Sequence, residues 1–312
     1  MPIKIGEFVS FCGRELSADE LNLIRQIVGD FPALSQWQLA ATICELLDWR
    51  RPNGSLKTRE CFSFLQQLEE RGWLHLLPAL RITAPRGPRS LPLDEESQAR
   101  TPLSGSLKNY RPITLQLITQ LADRRLFNQY IQRHHYLGYR IPVGAQLRYF
   151  ARHRDGDVIA CLLFTSAAWK MAARDSWIGW DETTRRSRLG LVVNQSRFLI
   201  LPWVRIPDLA SHILSLAARQ LPGDWEAFYN KRPLMLESLV DAARFLGTCY
   251  RAANWIHIGS TRGRGRMDRH YKEDGRAPKR IFIYPLTRHA RRLLSQPESY
   301  PVNPLEPWRD CG

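Results

Sequence analysis

Residues 147–165, LRYFARHRDGDVIACLLFT, constrain the fold more than any other stretch of this chain. Two strand-like runs flank Arg154-Asp155-Gly156-Asp157. Asp-Gly between such runs is a strong hairpin signal, because both residues tolerate the left-handed backbone of a tight turn. The second run is nearly all apolar, so it needs cover on both faces and belongs at the centre of a sheet. The flanking sequence supplies partners. Residues 113–134 are mostly helical, with room for a short opening strand. SRFLILPWV (196–204) reads as another buried strand and PDLASHILSLAARQL (207–221) as a helix. LMLESLV (234–240) is a strand, 241–255 a short helix stopped near Gly247, and WIHIG (255–259) and RIFIYPL (280–286) two closing strands. Helices alternating with these strands imply an α/β fold with a mixed, partly antiparallel sheet.

Upstream of this domain, residues 84–112 are dominated by Pro, Gly, Ser and mixed charge, with no apolar period. They read as a linker over 83–112. It separates a module at 15–82 from the domain at 113–295, with 296–312 as a tail. The module opens on Ser17, with Glu20 three residues later, which is a capping box. Further helices are expected from Ser35 and from Ser55 to Gly72, followed by a short two-stranded wing formed by WLHLL and LRI. That outline is a winged helix-turn-helix, in which the third helix enters the major groove. Opposite the inner stripe of Cys61, Leu65 and Leu68 the third helix presents Lys57, Ser63, Gln66 and Gln67, with Arg59 on the flank. These are base-edge and phosphate donors. A protein-docking winged helix is the alternative.

Composition decides what such a pair of modules is for. The 312 residues carry a formal net charge of +15, an excess that favours polyanionic partners, DNA above all. Six cysteines occur singly, with no C-x-x-C pair, so a zinc finger is not expected and the thiols read as reduced core residues of a cytoplasmic protein. The most apolar stretch, 189–204, is interrupted by Asn194, Gln195 and Arg197 and is no membrane span.

Several clusters have chemical potential. RDSWIGWDETTRRSR (174–188) crowds Arg174, Asp175, Trp177, Trp180 and Asp181 into what reads as a short loop. Tryptophan faces and arginines suit nucleic acid, whereas Asp175 and Asp181 suit Mg²⁺. Glu237 and Asp241, four apart, share a face of their strand. Together with Asp175, Asp181 or Asp224 they would make a carboxylate cluster for metal-dependent phosphodiester chemistry, with Mg²⁺ as cofactor. The same carboxylates would alternatively anchor arginines. Tyr250 is a candidate nucleophile, and Arg251 a phosphate contact. His134 and His135 are adjacent, so they point apart and read as a helix end packed on aromatics. GSTRGRGRMDRHYK (259–272) lacks the Lys-Ser/Thr of a nucleotide loop. It offers Arg262, Arg264, Arg266, Arg269 and Lys272 on a glycine-softened segment, which suits backbone phosphates.

The element order is similar to that of the N-acetyltransferase fold. That fold's cofactor turn needs glycines, and here the turn is LPWVRIPDLAS, with Asp208 where a pyrophosphate would sit. A degenerate enzyme of that fold is one alternative. Residues HHYLG (134–138), LRYF (147–150), RDSWIGW (174–180), NQSRFLILPWV (194–204), LASHIL (209–214), LESLVD (236–241) and GTCYRAANWIHIGSTRGRGR (247–266) resemble the DruA family of Druantia anti-phage systems, a domain also found beside transposase-like domains. The resemblance implies a DNA-binding defence or transposon-related component acting with other system proteins, a helicase among them. It supplies no catalytic residues. A metal-dependent nuclease or strand-transfer enzyme is the other alternative.

Overall fold

The computed structural model describes residues 9–30, 34, 36–47, 49–51, 56–76, 93–139, 144–261 and 278–296. The chain divides into two compact units. One comprises 1–89 with 141–145 and 228–230, and the other 90–140, 146–227 and 231–312.

The first unit opens with a minimal hairpin, β1 (Ser10–Phe11) and β2 (Arg14–Glu15), whose turn uses the left-handed Cys12 and Gly13. Three helices follow: α1 (Ala18–Asp30), α2 (Gln36–Leu46) and α3 (Thr58–Glu70). The capping box forms in both directions. Ser17 N–H donates to Glu20 Oε2 (3.0 Å), and Glu20 N–H donates to Ser17 Oγ (3.2 Å). The core combines Ile24, Ile27, Ile43, Cys44, Cys61, Leu65 and Leu68. Phe11 stacks on Trp49 with ring centroids 3.9 Å apart. Trp73–Leu76 form no strand, and the rest of the expected wing lies outside the described residues.

The second unit is built on a seven-stranded mixed sheet. Its elements are β3 (Leu103–Ser104), β4 (Thr114–Leu117), α4 (Leu121–His134), β5 (Gln146–Arg152), β6 (Val158–Ser166), α5 (Ala172–Ile178), α6 (Glu182–Arg188), β7 (Val192–Ile200), β8 (Val204–Arg205), α7 (Leu209–Tyr229), β9 (Met235–Asp241), α8 (Thr248–Ala252), β10 (Ile256–Ser260), β11 (Lys279–Pro285) and α9 (Ala290–Ser295). The strand order is β10-β11-β9-β7-β6-β5-β4, and β3 pairs separately with β8. Every neighbouring pair in the large sheet is antiparallel except β7 and β9, which α7 joins as a crossover. The hairpin over 147–165 forms as β5 and β6, and β6 is buried along all but its last residue.

Four features depart from the sequence reading. The short helix read over 241–255 is α8 at Thr248–Ala252, and Gly247 precedes it instead of stopping it. Residues 93–112, the C-terminal part of the stretch read as a linker, carry β3 and two 3₁₀ turns, Glu95–Ser97 and Leu107–Tyr110. Polar contacts hold them on α4: Gln129 Nε2 donates to Asp94 Oδ2 (2.9 Å), and His134 Nε2 lies 3.0 Å from the Ser97 carbonyl. Helix α7 runs through Pro222 instead of stopping before it. Leu221 and Trp225 are both buried on its inner face, and that burial offsets the lost backbone hydrogen bond. The segment 174–188 is two helices and not a loop. Gly179 ends α5 in the left-handed conformation (φ 81°), and Asp181 caps α6 by accepting from Thr184 N–H at 2.7 Å.

Candidate functional site

Two polar assemblies lie on the parallel pair of strands. The first surrounds Arg174, which is 0% exposed. Its Nε and Nη2 donate to Asp175 Oδ1 (3.0 and 2.8 Å), and its Nη1 donates to Glu237 Oε2 (3.1 Å) and to the Ala168 carbonyl (2.8 Å). Glu237 is also 0% exposed. Asp175 further accepts from Trp180 Nε1 (3.1 Å) and Met171 N–H (3.0 Å). The Arg174 guanidinium lies over the Trp180 ring at 5.6 Å, and the Arg185 guanidinium over Trp169 at 5.4 Å. The Arg174 charge is matched by two carboxylates, which braces α5 against β9, whereas Arg185 at the edge keeps two buried nitrogens without a hydrogen-bond partner.

That geometry corrects several expectations. Arg174 and Trp180 are interior and present no surface to nucleic acid. Trp177 is half-buried and carries the Arg291 guanidinium at 5.7 Å from its ring. The five carboxylates do not form one cluster. Asp175 and Glu237 hold Arg174, Asp181 caps α6, and Asp241 accepts from Ala243 N–H (3.0 Å) beside Arg244 (3.7 Å). Asp224 accepts from Tyr149 Oη (2.9 Å) and Gln220 Nε2 (3.0 Å). Among the described residues no group of three or more His, Cys, Asp and Glu side chains is placed to hold a metal ion.

The second assembly begins where β7 and β9 part. They pair from Val192↔Met235 to Gln195↔Ser238. Opposite β6, Gln195 faces Phe164 and Arg197 faces Leu163, so Ser196 is an inserted bulge residue. A bulge bends the strand that carries it and interrupts pairing there. Beyond it the two strands diverge, and a cavity of about 410 Å³ lies in the fork. Its floor is a buried relay: Ser238 Oγ donates to Tyr250 Oη (3.0 Å), and Tyr250 Oη donates to Gln195 Oε1 (2.9 Å). Burial pushes the Tyr250 phenol up, and the Ser238 hydrogen bond opposes it only in part. Tyr250 is thus a neutral hydrogen-bonder and is not poised as a nucleophile.

The cavity walls come from the end of α4 (His134 to Leu137), from β7 (Phe198 to Ile200) and from the segment 245–250. His134 packs edge-on against Trp203 (5.3 Å) and His135 stacks on Tyr136 (4.8 Å), as a helix end set on aromatics. Burial, with the charge of Arg197, lowers the His135 pKa to about 4, and Leu137 N–H donates to its Nδ1 (3.2 Å), so the ring is neutral. Gly247 sets the start of α8. It has φ +75°, and a Cβ there would meet the Phe282 ring at 2.5 Å. Phe282 in turn stacks on Tyr250 at 5.2 Å. Gly247 therefore fixes where Tyr250 stands. Sequence reasoning missed Gln195, Ser238, Tyr136, Phe245 and Leu246. The one local signal was Phe245-Leu246-Gly247, an apolar pair ahead of a glycine that ends no helix.

The remaining sequence candidates are on surfaces or undescribed. On α3, Arg59, Ser63, Gln66 and Gln67 are exposed opposite buried Cys61, Phe64, Leu65 and Leu68, and Lys57 precedes the helix with its ammonium 5.9 Å from the Phe11 ring centroid. Arg251 is exposed on α8. Arg262, Arg264, Arg266, Arg269 and Lys272 lie outside the described residues. Helix α7 starts directly after Asp208, which is left-handed (φ 61°) and puts a carboxylate, not a glycine, at that helix start.

Residues 86–275 match the family described as Druantia protein DruA. The chain belongs to the DruA family. That family takes its name from a protein of the Druantia system. No curated protein matches the chain in sequence. Among solved structures, similar outlines are those of aminoglycoside acetyltransferase AAC(6')-Ib with coenzyme A (13% identity, 58% of this chain and 98% of that chain, TM-score 0.33). Arabidopsis thaliana NAA60 with acetyl-CoA gives 13% identity over 56% of this chain and 98% of that chain, TM-score 0.38. Vibrio cholerae spermidine N-acetyltransferase with CoA and spermine gives 9% identity over 55% of this chain and 95% of that chain, TM-score 0.36. Among the described residues no helix is long and apolar enough to cross a membrane.

Proposed function

We propose that this DruA-family chain is the DNA-binding component of its defence system, with the first unit acting as a winged helix-turn-helix. The observation that carries the reading is the outer face of α3. Arg59, Ser63, Gln66 and Gln67 form an exposed stripe of donors at helical spacing, while the opposite face is wholly apolar. A helix of this kind reads base edges and phosphates. Glu69 does not spoil the stripe, because its Oε1 is turned to accept from Leu76 N–H at 2.7 Å. The net charge of +15 supplies the non-specific attraction. A second contact comes from 262–280, where six arginines and two lysines stand against three acidic residues. Strand separation falls to partner proteins of the system, a helicase among them.

Fluorescence anisotropy with labelled DNA, without divalent metal and over a range of salt, tests this. Affinity should fall linearly with log salt. Replacing Arg262, Arg264 and Arg266 by Ala should flatten the slope by about 3 for duplex DNA. Arg59→Ala with Gln66→Ala should weaken binding with a much smaller change in slope. No measurable binding at low salt would end the reading.

A further inference from the structure

The fork between β7 and β9 has three properties that an ordinary packing defect lacks. The first is an orphan. Gln195 is 3% exposed and its Oε1 is taken by Tyr250, while its Nε2 is buried without a hydrogen-bond partner. Reversing the amide exchanges the two atoms and leaves the oxygen unfilled instead. In either setting, one end of a buried amide at the cavity floor waits for a group from elsewhere. Other buried polar atoms among the described residues are also unpaired, and this one is set apart by the open cavity that its side chain lines. The second is the lip. Of eight large apolar side chains exposed among the described residues, four (Tyr136, Leu137, Phe245, Leu246) line this one cavity. Phe245 is 50% and Leu246 67% exposed, and Tyr136 and Phe245 rings lie 5.6 Å apart. Clustered apolar exposure marks a contact surface. The third is the placement of charge. No Lys or Arg lines the cavity and Asp241 is its one carboxylate, while the Arg244 guanidinium, 3.7 Å from Asp241, lies over the Tyr136 ring at 5.2 Å, at the lip.

We infer that the fork takes a single unstacked nucleobase from a DNA strand, a step that rests on the DNA-binding reading above. An uncharged planar ring suits aromatic walls without cations, and a base edge offers the acceptor or donor that the Gln195 amide lacks. The phosphates of the same nucleotide stay outside, where Arg244 meets them. A phosphate-bearing cofactor fits less well, because the carboxylate of Asp208 stands at the start of α7, whose Ala210 lines the cavity. The volume of about 410 Å³ is within the range of small-ligand pockets.

The test uses the full chain and two labelled single strands of equal length and charge, one with bases and one abasic at a central run. The base-bearing strand should bind about ten-fold more tightly, as stacking on aromatic side chains generally provides. Phe245→Ala should bring that ratio towards one while leaving the salt slope unchanged, since it removes no phosphate contact, and Tyr136→Ala should lower the ratio as well while also freeing Arg244 from its ring. Gln195→Met should reduce it as well. If Gln195→Met fails to fold, the exposed Phe245→Ala still decides the matter. Equal binding of both strands by a chain that binds DNA overturns this inference alone. Failure to bind any DNA overturns it together with the reading it rests on. Thermal protection by coenzyme A that Phe245→Ala abolishes, without a base preference, also overturns it.

Discussion

Glu237 and Ser238 are neighbours on β9, and successive residues of a strand face opposite sides of the sheet. On one side Glu237 meets Arg174, and on the other Ser238 meets Tyr250 and Gln195. Both clusters are buried and polar, and they differ in how far their central groups, Arg174 and Gln195, are satisfied. Around Arg174 the cation is met by two carboxylates and by backbone carbonyls. Around Gln195 one amide atom is left over. A closed network has nothing to offer a ligand, and its cost of desolvation is already offset inside the fold. An incomplete one next to an open cavity carries an unmet demand. Charge density in the sequence drew attention to the first cluster, whereas the unpaired amide end is in the second.

Breaking the closed network should have the largest effect. Arg174→Met leaves two buried carboxylates without their cation and should cost about 3–5 kcal/mol in urea unfolding. A loss below about 1 kcal/mol would mean that the network does not brace the fold. Gly247→Ala comes next, at about 2–4 kcal/mol from the left-handed backbone and the collision with Phe282. It should also disturb Tyr250 fluorescence or NMR shifts, which a purely local strain at the turn would leave alone. Gln195→Met should cost about 1 kcal/mol or less, because it removes an unsatisfied atom along with the acceptor for Tyr250. If it proved as damaging as Arg174→Met, the contrast between the two clusters would collapse.

Acid gives the smallest test. His135 lines the cavity with a pKa lowered to about 4 from 6.5, so between those values the unfolded chain holds a proton that the folded one does not. Stability from this group is therefore whole above about pH 6.5 and is lost as pH falls towards 4, by an amount of order 1 kcal/mol after solvent screening. Thermal melts of the His135→Asn variant should show a flatter pH profile over that window. Parallel profiles for the two proteins would remove His135 from the account.

The parts of the fold visible in the sequence were those set by neighbours in the chain. Asp155-Gly156 located the β5–β6 hairpin, and Ser17 with Glu20 located the start of α1. The misread stretch at 174–188 still carried local signals, Gly179 as a helix end and Asp181 three residues before Thr184 as a helix start. Its charge density concealed them. Arg174 could not be placed because Glu237, its partner, is 63 residues away. The cavity was hidden for a related reason. It exists because β7 and β9 stop pairing after Gln195, which depends on strands brought together by α7. The continuation of α7 past Pro222 likewise depends on what Leu221 and Trp225 bury.

The bulge at Ser196 has a consequence for how this stretch can vary. Side chains alternate along a strand, so one inserted residue shifts the parity of everything after it. Phe198 and Ile200 keep their present orientation only while β7 is one residue longer than its match on β6. Substitution at Ser196 costs a weak hydrogen bond to the Leu163 carbonyl (3.4 Å), whereas deletion would turn the following residues over and close the fork. Within NQSRFLILPWV, length is therefore held more tightly than identity.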